Sequence, residues 1–559
     1  MSEILSDTFE RVCRSVDSPK SLGVWLRFKH AQDELANVSI DPLAYNDAAS
    51  FYADYVCVSL LRKFEGLDTH IDTRKVALQA FDKAEEQCRI TNENLRTYRL
   101  TGRVDQVEHS ILLNAQQLIA DVWGSPSFDA MFRHCGWGPG STATLKGASA
   151  TTEDKMSRLP LSVTPSALPY LRQVMKNDLL WCGHLLKCQV DGPVCLMPSY
   201  YGQTDCSRLL TVPKDAKTDR VIAAEPTGNI FLQMGIGRYL RSRLRKYGVN
   251  LEDQTRNQML AASAVQLGLS TLDLSAASDS ISIELCRVLL PDDMFKVLND
   301  IRSPSFSLGQ EVTRFHKFSS MGNGFTFQLE SLIFWAVAKA VARVRKCRAP
   351  IGVYGDDIIV HQSITQEVIT TLESFGFNIN KSKSFVDGRF FESCGKHYFD
   401  AIDVTPVYQK HIIDNDLELS RFANRIFESA YCRPYLGAKK RFGKIHSRLI
   451  SKLPERLKKF YCPSGLILDG TFRVLHFNGE FNANRGYHVS SMMATKGAKR
   501  LADGGLYAYH MRKHAEPFDK LFGILSDKPS YGYVDIRPKD RITTYKRTKH
   551  WVPIWKLVT

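Results

Sequence analysis

Residues 351–360 read Ile-Gly-Val-Tyr-Gly-Asp-Asp-Ile-Ile-Val, an acidic centre between apolar, largely β-branched flanks. The pattern predicts two short buried strands joined by a tight turn. Gly355 supplies the backbone freedom that the turn needs. Asp356 and Asp357 are the unusual part, because adjacent carboxylates set against apolar strands repel each other and lose hydration. Water at a surface hairpin relieves that cost, and for an isolated pair this is the ordinary outcome. A divalent cation relieves it as well, by reversing the local charge. The second reading requires a third carboxylate and a substrate for the ion to act on.

Composition narrows the setting. A chain of 559 residues is long enough for several subdomains around one or two large cores. Its 44% hydrophobic and 24% charged residues are ordinary for a globular protein in water. Thirteen cysteines, an odd and scattered set, suit reduced thiols better than a disulfide framework. Cys182, His184, Cys188 and Cys195 lie close in sequence, but their spacing matches no zinc pattern. The first residues carry no apolar run preceded by basic residues, so no signal peptide is expected. No window approaches a membrane-spanning apolar length either.

The net charge of +15 is unevenly placed. From Arg433 to Thr559 there are 26 Lys and Arg against 9 Asp and Glu, leaving the first 432 residues at −2. Tyr, Phe and Trp are interleaved with these cations. Such a basic quarter is expected to bind a polyanion, nucleic acid above all, with strong salt dependence.

Along the chain, periodicity predicts helices over Ala48 to Phe64, Thr73 to Thr91 and Gln106 to Trp123. The Gly136–Thr142 segment is Gly/Ser/Thr-rich but lacks the Lys-Ser/Thr ending of a phosphate-binding P-loop, so it is read as a plain loop. Over Leu209 to Ala223 a strand-like run, a turn and another strand-like run present Lys214, Lys217 and Arg220 at three-residue spacing. Closely spaced cations between strands suit a triphosphate. A basic surface hairpin is the competing reading. Asp273 ends a short apolar strand and is followed by small residues, which suits a carboxylate emerging into an open site. Asp279 or Ser278, just before the next helical pattern, suits an N-cap better than Asp273 does. Ser320, Gly322 and Asn323 belong to a Gly-Asn-Gly loop that feeds a helix running to about Arg345. Its glycines allow close backbone approach, and the Asn offers a donor and an acceptor. A helix over 365–375 and the basic stretch holding Lys381 and Lys383 follow the acidic hairpin.

In this order the pieces fit one chemistry. Asp273, Asp356 and Asp357 are expected to hold two Mg2+ ions, which take oxygen ligands and bridge substrate phosphates; Mn2+ is an acceptable substitute. The cationic hairpin is expected to neutralise an incoming triphosphate. Asn323 and Asp279 are candidates for reading a ribose 2′-hydroxyl.

The order and wording of these motifs resemble the palm-domain RNA-dependent RNA polymerases, motifs F, A, B, C, D and E. More narrowly, they are similar to the replicase β subunit of the positive-strand RNA bacteriophages, the levivirus group. Beyond the acidic hairpin, the match is carried by TVPKDAKTDR (211–220), EDQTRNQ (252–258), TLDLSAASDSIS (271–282), SSMGNGFTFQLESLIFWA (319–336) and FESCGKHYFDAIDVTP (391–406). These cover about 210 to 410, while the flanks match in length and general character. The resemblance implies an α+β right-hand fold with fingers, palm (an antiparallel sheet with packed helices) and thumb. It suggests a helical region over 1–100 joined to the fingers, fingers over 101–265, palm over 266–405 with a fingers insertion at about 290–318, and a basic thumb over 406–559. It also implies RNA-templated RNA synthesis, for replication and transcription of a phage genome, starting without a primer. On this resemblance Asp273, Asp356 and Asp357 are the magnesium ligands. Lys214, Lys217, Arg220, Asp279, Ser320, Gly322 and Asn323 are nucleotide-binding, and either Lys381 or Lys383 is the basic residue of motif D, a general acid for pyrophosphate. Implied partners are single-stranded RNA, nucleoside triphosphates, host elongation factors Tu and Ts and a small-subunit ribosomal protein, in the cytoplasm of an infected bacterium.

Two other readings share some of these features. A reverse transcriptase has the palm and paired acids but usually a non-glycine residue where Gly355 stands. A non-catalytic RNA-binding protein accounts for the basic quarter but not for three acids at strand ends beside a cationic hairpin.

Overall fold

The computed structural model describes residues 3–35, 37–102, 107–147, 150–188, 190–466, 468–483, 485–494 and 545–552. The expected acidic hairpin forms: strands Gly352–Tyr354 and Asp357–His361 pair antiparallel, with Asp357 opposite Tyr354. On its other edge Asp357–His361 pairs antiparallel with Leu269–Leu272, giving a three-stranded sheet with the acidic strand in the middle. Alternation along that central strand serves two cores. Ile358 and Val360 join the largest cluster, whereas Ile359 packs with Ala261, Ala264, Leu269 and Phe391. A strand covered on both faces reads as a continuous apolar run rather than an alternating one, which is what Ile358–Val360 shows.

Helix Thr326–Val344 lies against this sheet with fifteen of its 19 residues buried, so it is apolar nearly all round. Helices Gln362–Ser374 and Thr255–Ala262 also pack on the sheet. The mixed helix and strand content, with an antiparallel central sheet and packed helices, is the α+β architecture expected.

A second sheet carries the cationic hairpin. Strands Cys206–Pro213 and Asp219–Ala224 pair antiparallel, with Val212 opposite Arg220. Strand Ser305–Leu308 adds in parallel to 206–208, and Glu311–Arg314 closes the far edge. Asp215 fixes the hairpin tip, its Oδ1 accepting from the Lys217 and Thr218 backbone N–H groups at 3.0 and 3.2 Å.

The N-terminal region divides between two neighbours. Leu5, Phe9, Phe51, Val56 and Leu67 share a core with Phe422, Ile426, Phe442 and Leu449 of the C-terminal helices Asp416–Tyr431 and Ala438–Ser451. Helix Thr73–Thr101 extends ten residues past its expected end; its Ala77 and Phe81 pack against Leu209 and Val221 of the cationic hairpin. Asp72 caps it by accepting from the Lys75 N–H at 2.9 Å.

Other local expectations need correction. The helix after Asp273 starts at Ile283 with Ser282 as its N-cap, and residues 277–279 form one 3-10 turn, so neither Ser278 nor Asp279 caps it. The helix expected from Gln106 begins at His109, and Gln106 lies outside the described residues. Cys182 donates to the Met175 carbonyl at 3.1 Å while His184 meets Ser157 at 2.8 Å, so each has a protein partner of its own. Of the basic C-terminal quarter, 467, 484, 495–544 and 553–559 lie outside the described residues. No helix among the described residues is long and apolar enough to cross a membrane.

Candidate active site

The register of the central sheet creates the site. Leu272 opposite Ile358 is its last paired step, and one step further along the same register Asp273 stands across from Asp357. The pairing of Leu272 with Ile358 thus brings to one end of the sheet acids 84 positions apart in the sequence. Asp356 occupies the turn before the central strand. Gly355 there has φ +59°, and a Cβ on it would come within 2.5 Å of the Phe327 ring. Its N–H donates to Ser331 Oγ at 3.0 Å, so the buried helix holds the turn from beneath.

Two of the three acids are held by their neighbours. Asp273 accepts from Asn380 Nδ2 at 2.7 Å, and Lys383 Nζ lies 3.8 Å from its Oδ1. Burial raises its pKa, the Lys383 cation opposes that, and the charge of Asp356 adds to it. Asp357 Oδ1 accepts from the Cys394 N–H at 3.1 Å and from Ser393 Oγ at 3.2 Å. Its carboxyl is pushed up to about 6, chiefly by burial, with Asp356 and Asp273 contributing and the Cys394 bond resisting. The set is three carboxylates that repel one another, an all-oxygen donor set suited to a hard divalent cation. As the side chains stand, no group of three or more His, Cys, Asp or Glu among the described residues is gathered tightly enough to hold an ion.

The cations fall into two groups. Lys383 and Lys214 both act electrostatically on Asp273. Lys217 is half-buried with its pKa lowered, by burial first and then by Arg62 and Lys214, whereas Arg220 is exposed on the strand beyond. Lys381 is exposed on the turn before Lys383.

The Gly-Asn-Gly loop packs against the cationic hairpin. Met321 O accepts from the Ala223 N–H at 2.8 Å. Gly322, at φ +110°, has no room for a Cβ, which would sit 2.3 Å from the Ala223 carbonyl oxygen. Asn323 Nδ2 donates to the buried Glu225 at 3.4 Å, and its Oδ1 accepts from the Phe325 N–H at 3.0 Å. Ser320 is buried, its carbonyl accepting from Thr326 Oγ1 at 3.0 Å. Asp279 has its Oδ1 engaged by Lys317 Nζ at 3.0 Å.

A family model described as RNA replicase, beta-chain, matches residues 24–521. The chain belongs to that family. The replicase chain is 34% identical over 483 residues to the RNA-directed RNA polymerase subunit beta of Escherichia virus Qbeta, covering 85% of this chain and 78% of that protein. It is 35% identical over 506 residues to the subunit of the same description from Qbeta virus (strain MX1), covering 89% and 82%. A crystal structure of an insertion-loop deletion mutant of the RNA-dependent RNA polymerase of a human picorbirnavirus aligns over 67% of this chain and 87% of its own length, at 13% identity and a TM-score of 0.36.

Several groups around the candidate site of this replicase chain escape sequence inspection. Glu330 on the buried helix accepts from Ser278 Oγ at 2.6 Å, and burial pushes its pKa up to about 8. Glu392 is pushed up to about 7, again by burial first, with Asp273 and Asp357 adding to it. Glu225 is fully buried and raised for the same reason. Acids inside apolar helical or strand patterns are the available signal for Glu330 and Glu392. Asn380 lies within a basic stretch, and only its pairing with Asp273 marks it.

Proposed function

We propose that this member of the replicase family, an RNA-directed RNA polymerase of the levivirus type, copies single-stranded RNA by nucleotidyl transfer centred on Asp273, Asp356 and Asp357. The observation that carries the reading is the sheet register that sets Asp273 across from Asp357, beside Lys383 and within the field of Lys214. The three aspartates would hold two Mg2+ ions, or Mn2+, which when bound lower the pKa of the attacking 3′-hydroxyl and stabilise the departing pyrophosphate. Lys214, Lys217 and Arg220 bind the triphosphate, Arg220 by a two-oxygen grip. Lys383 supplies a proton to the pyrophosphate oxygen as it leaves, a role its place beside Asp273 favours over Lys381. Asp279 and Asn323 read the ribose 2′-hydroxyl, and Ser320 and Gly322 shape the loop that presents Asn323.

Fingers at 101–265, palm at 266–405 and thumb at 406–559 divide the work, the thumb gripping RNA with its excess of cations. Synthesis starts without a primer, a property that rests on the family alone. The relatives are described as beta subunits, which favours further subunits here. By the same resemblance these are host elongation factors Tu and Ts and a ribosomal protein, met in the cytoplasm of an infected bacterium.

The test is incorporation of labelled NTPs on a single-stranded RNA template with Mg2+, for wild type and Asp356→Asn, with and without bacterial extract. Template-dependent synthesis that is lost in the variant supports the reading. Activity that needs extract supports host subunits. Equal RNA binding by both proteins with no synthesis under any condition defeats it, and a preference for dNTPs turns the reading to reverse transcription.

A further inference from the structure

Lys317 is the one lysine among the described residues whose side chain is fully buried between two carboxylates. Its Nζ lies 3.0 Å from Asp279 Oδ1 and 3.2 Å from Glu85 Oε1, and 3.5 Å above the centre of the Phe81 ring. Removing a cation from water is costly unless partners surround it, and these three groups do so. Phe81, Glu85, Cys88 and Asn92 recur at spacings of four, three and four on helix Thr73–Thr101, so they share one face. That face closes around the node. Cys88 Sγ meets the Asp279 carbonyl at 3.5 Å, Glu85 Oε2 accepts from the His316 N–H at 2.7 Å, and Asn92 Nδ2 donates to the His316 carbonyl at 2.7 Å. The backbone carrying Lys317 is fixed to the Asp279 segment as well, through a bridge to Ser282 and a 2.6 Å bond from the Phe318 N–H to the Ile281 carbonyl.

We propose that Lys317, braced by Glu85, is a positioning residue for sugar selection: it fixes the rotamer of Asp279 so that the free oxygen meets the ribose 2′-hydroxyl. This rests on the polymerase reading and on the sugar-reading role given to Asp279 there. Among the described residues Oδ2 of Asp279 takes no hydrogen bond, while Oδ1 is committed to Lys317. A carboxylate tethered by one oxygen presents the other in a fixed place, and preorganisation of this kind is what discrimination requires. The otherwise unassigned N-terminal helix thereby acts on the choice of nucleotide from behind the site.

The experiment compares kcat/KM for ATP and 2′-dATP in single-nucleotide addition on an RNA template, using the full chain with any host subunits it requires. The informative variant is Glu85→Gln with Lys317→Met, which removes the cation together with one of its two acids. The ribonucleotide preference is expected to fall about tenfold, mostly through slower ATP addition. An unchanged preference, with both nucleotides slowed in proportion, makes the node a purely structural ion pair and overturns the proposal. Should the double variant not fold, Lys317→Arg takes its place, since a displaced cation also shifts the preference; an unchanged ratio there overturns the proposal equally. Asp279→Asn separates the layers: a retained preference ends the sugar-reading role and this inference with it, while leaving the polymerase reading intact. A wild-type chain that adds no nucleotide fails the polymerase reading itself.

Discussion

Lys383 Nζ lies 3.8 Å from Asp273 Oδ1, whereas Lys381, two residues earlier, is exposed and makes no ion pair among the described residues. Two lysines that are equivalent by motif are therefore unequal in space. Replacing Lys383 by Met is expected to slow single-nucleotide addition about 100-fold, the scale of a lost general acid. Lys381→Met is expected to change it little. Because the Lys383 side chain is 51% exposed, its removal should barely alter stability, and thermal melting of both variants checks that. Equal effects of the two substitutions on the rate would remove the assignment.

Gly322 offers a test of the loop rather than of the chemistry. An added Cβ meets the Ala223 carbonyl oxygen, a backbone atom with no freedom to move, and φ of +110° is unfavourable for any L side chain. Gly322→Ala is expected to destabilise the fold by about 2–4 kcal/mol, or to shift the loop away from the 219–224 strand. Gly138→Ala, where the added atom meets open space, is the control and should be close to neutral. Thermal unfolding midpoints of the two variants, measured side by side, decide it.

How far the sequence reveals this site depends on what each residue's role requires. Asp273, Asp356 and Asp357 stand out in the sequence because the ordered motifs add a third carboxylate to the adjacent pair, and the register brings two of them to the same end of the sheet. Gly322 and Gly355 are legible because only a backbone without Cβ fits where they sit. Lys317 is not, because nothing in the words around it distinguishes a buried lysine from a solvated one. Its burial depends on Glu85 and Phe81, more than 230 positions away. Glu225 is hidden in the same way, since its partners Ser303 and Asn323 arrive from distant segments. Local propensity favours a cap at Asp279 or Ser278, but the chain makes a 3-10 turn over 277–279 and the helix starts only at Ile283, so Ser282 caps it. Likewise, nothing local says that residues 5–67 pack on helices beyond 416; only the shared apolar core shows it.

The helix Ala438–Ser451 carries Lys439, Lys440 and Lys444 exposed and, among the described residues, without an ion-pair partner. If they meet phosphates, each releases counterions from a single strand, contributing about 0.7 to the slope of log affinity against log salt. The triple substitution to Gln should therefore lower that slope by about 2 and weaken RNA binding at low salt. Addition rates on saturating template should be unchanged. Filter binding from low to moderate salt measures the slope, and an unaltered one would place the RNA elsewhere.

His446 couples the C-terminal helix pair to pH. Its ring makes edge contacts with Phe427 and Tyr431 at centroid distances of 5.2 and 5.8 Å, and among the described residues its buried Nε2 has no hydrogen-bond partner. Burial, with the Arg473 cation adding to it, pushes its pKa down to about 4 from the ordinary 6.5. The folded state therefore holds the neutral ring, and the unfolded chain takes up a proton first. Stability from this group is complete above the unfolded value and is lost as pH falls through 6.5 toward 4. Between pH 7 and pH 5 the loss amounts to about 2 kcal/mol. His397, pushed down to about 3 for the same first reason, adds a loss of the same sign. The comparison that isolates His446 is thus a difference: His446→Phe should melt with a shallower decline between pH 7 and pH 5 than the wild type. Parallel declines in the two proteins would mean that the ring is protonated without cost, and that the helix pair opens to water around it.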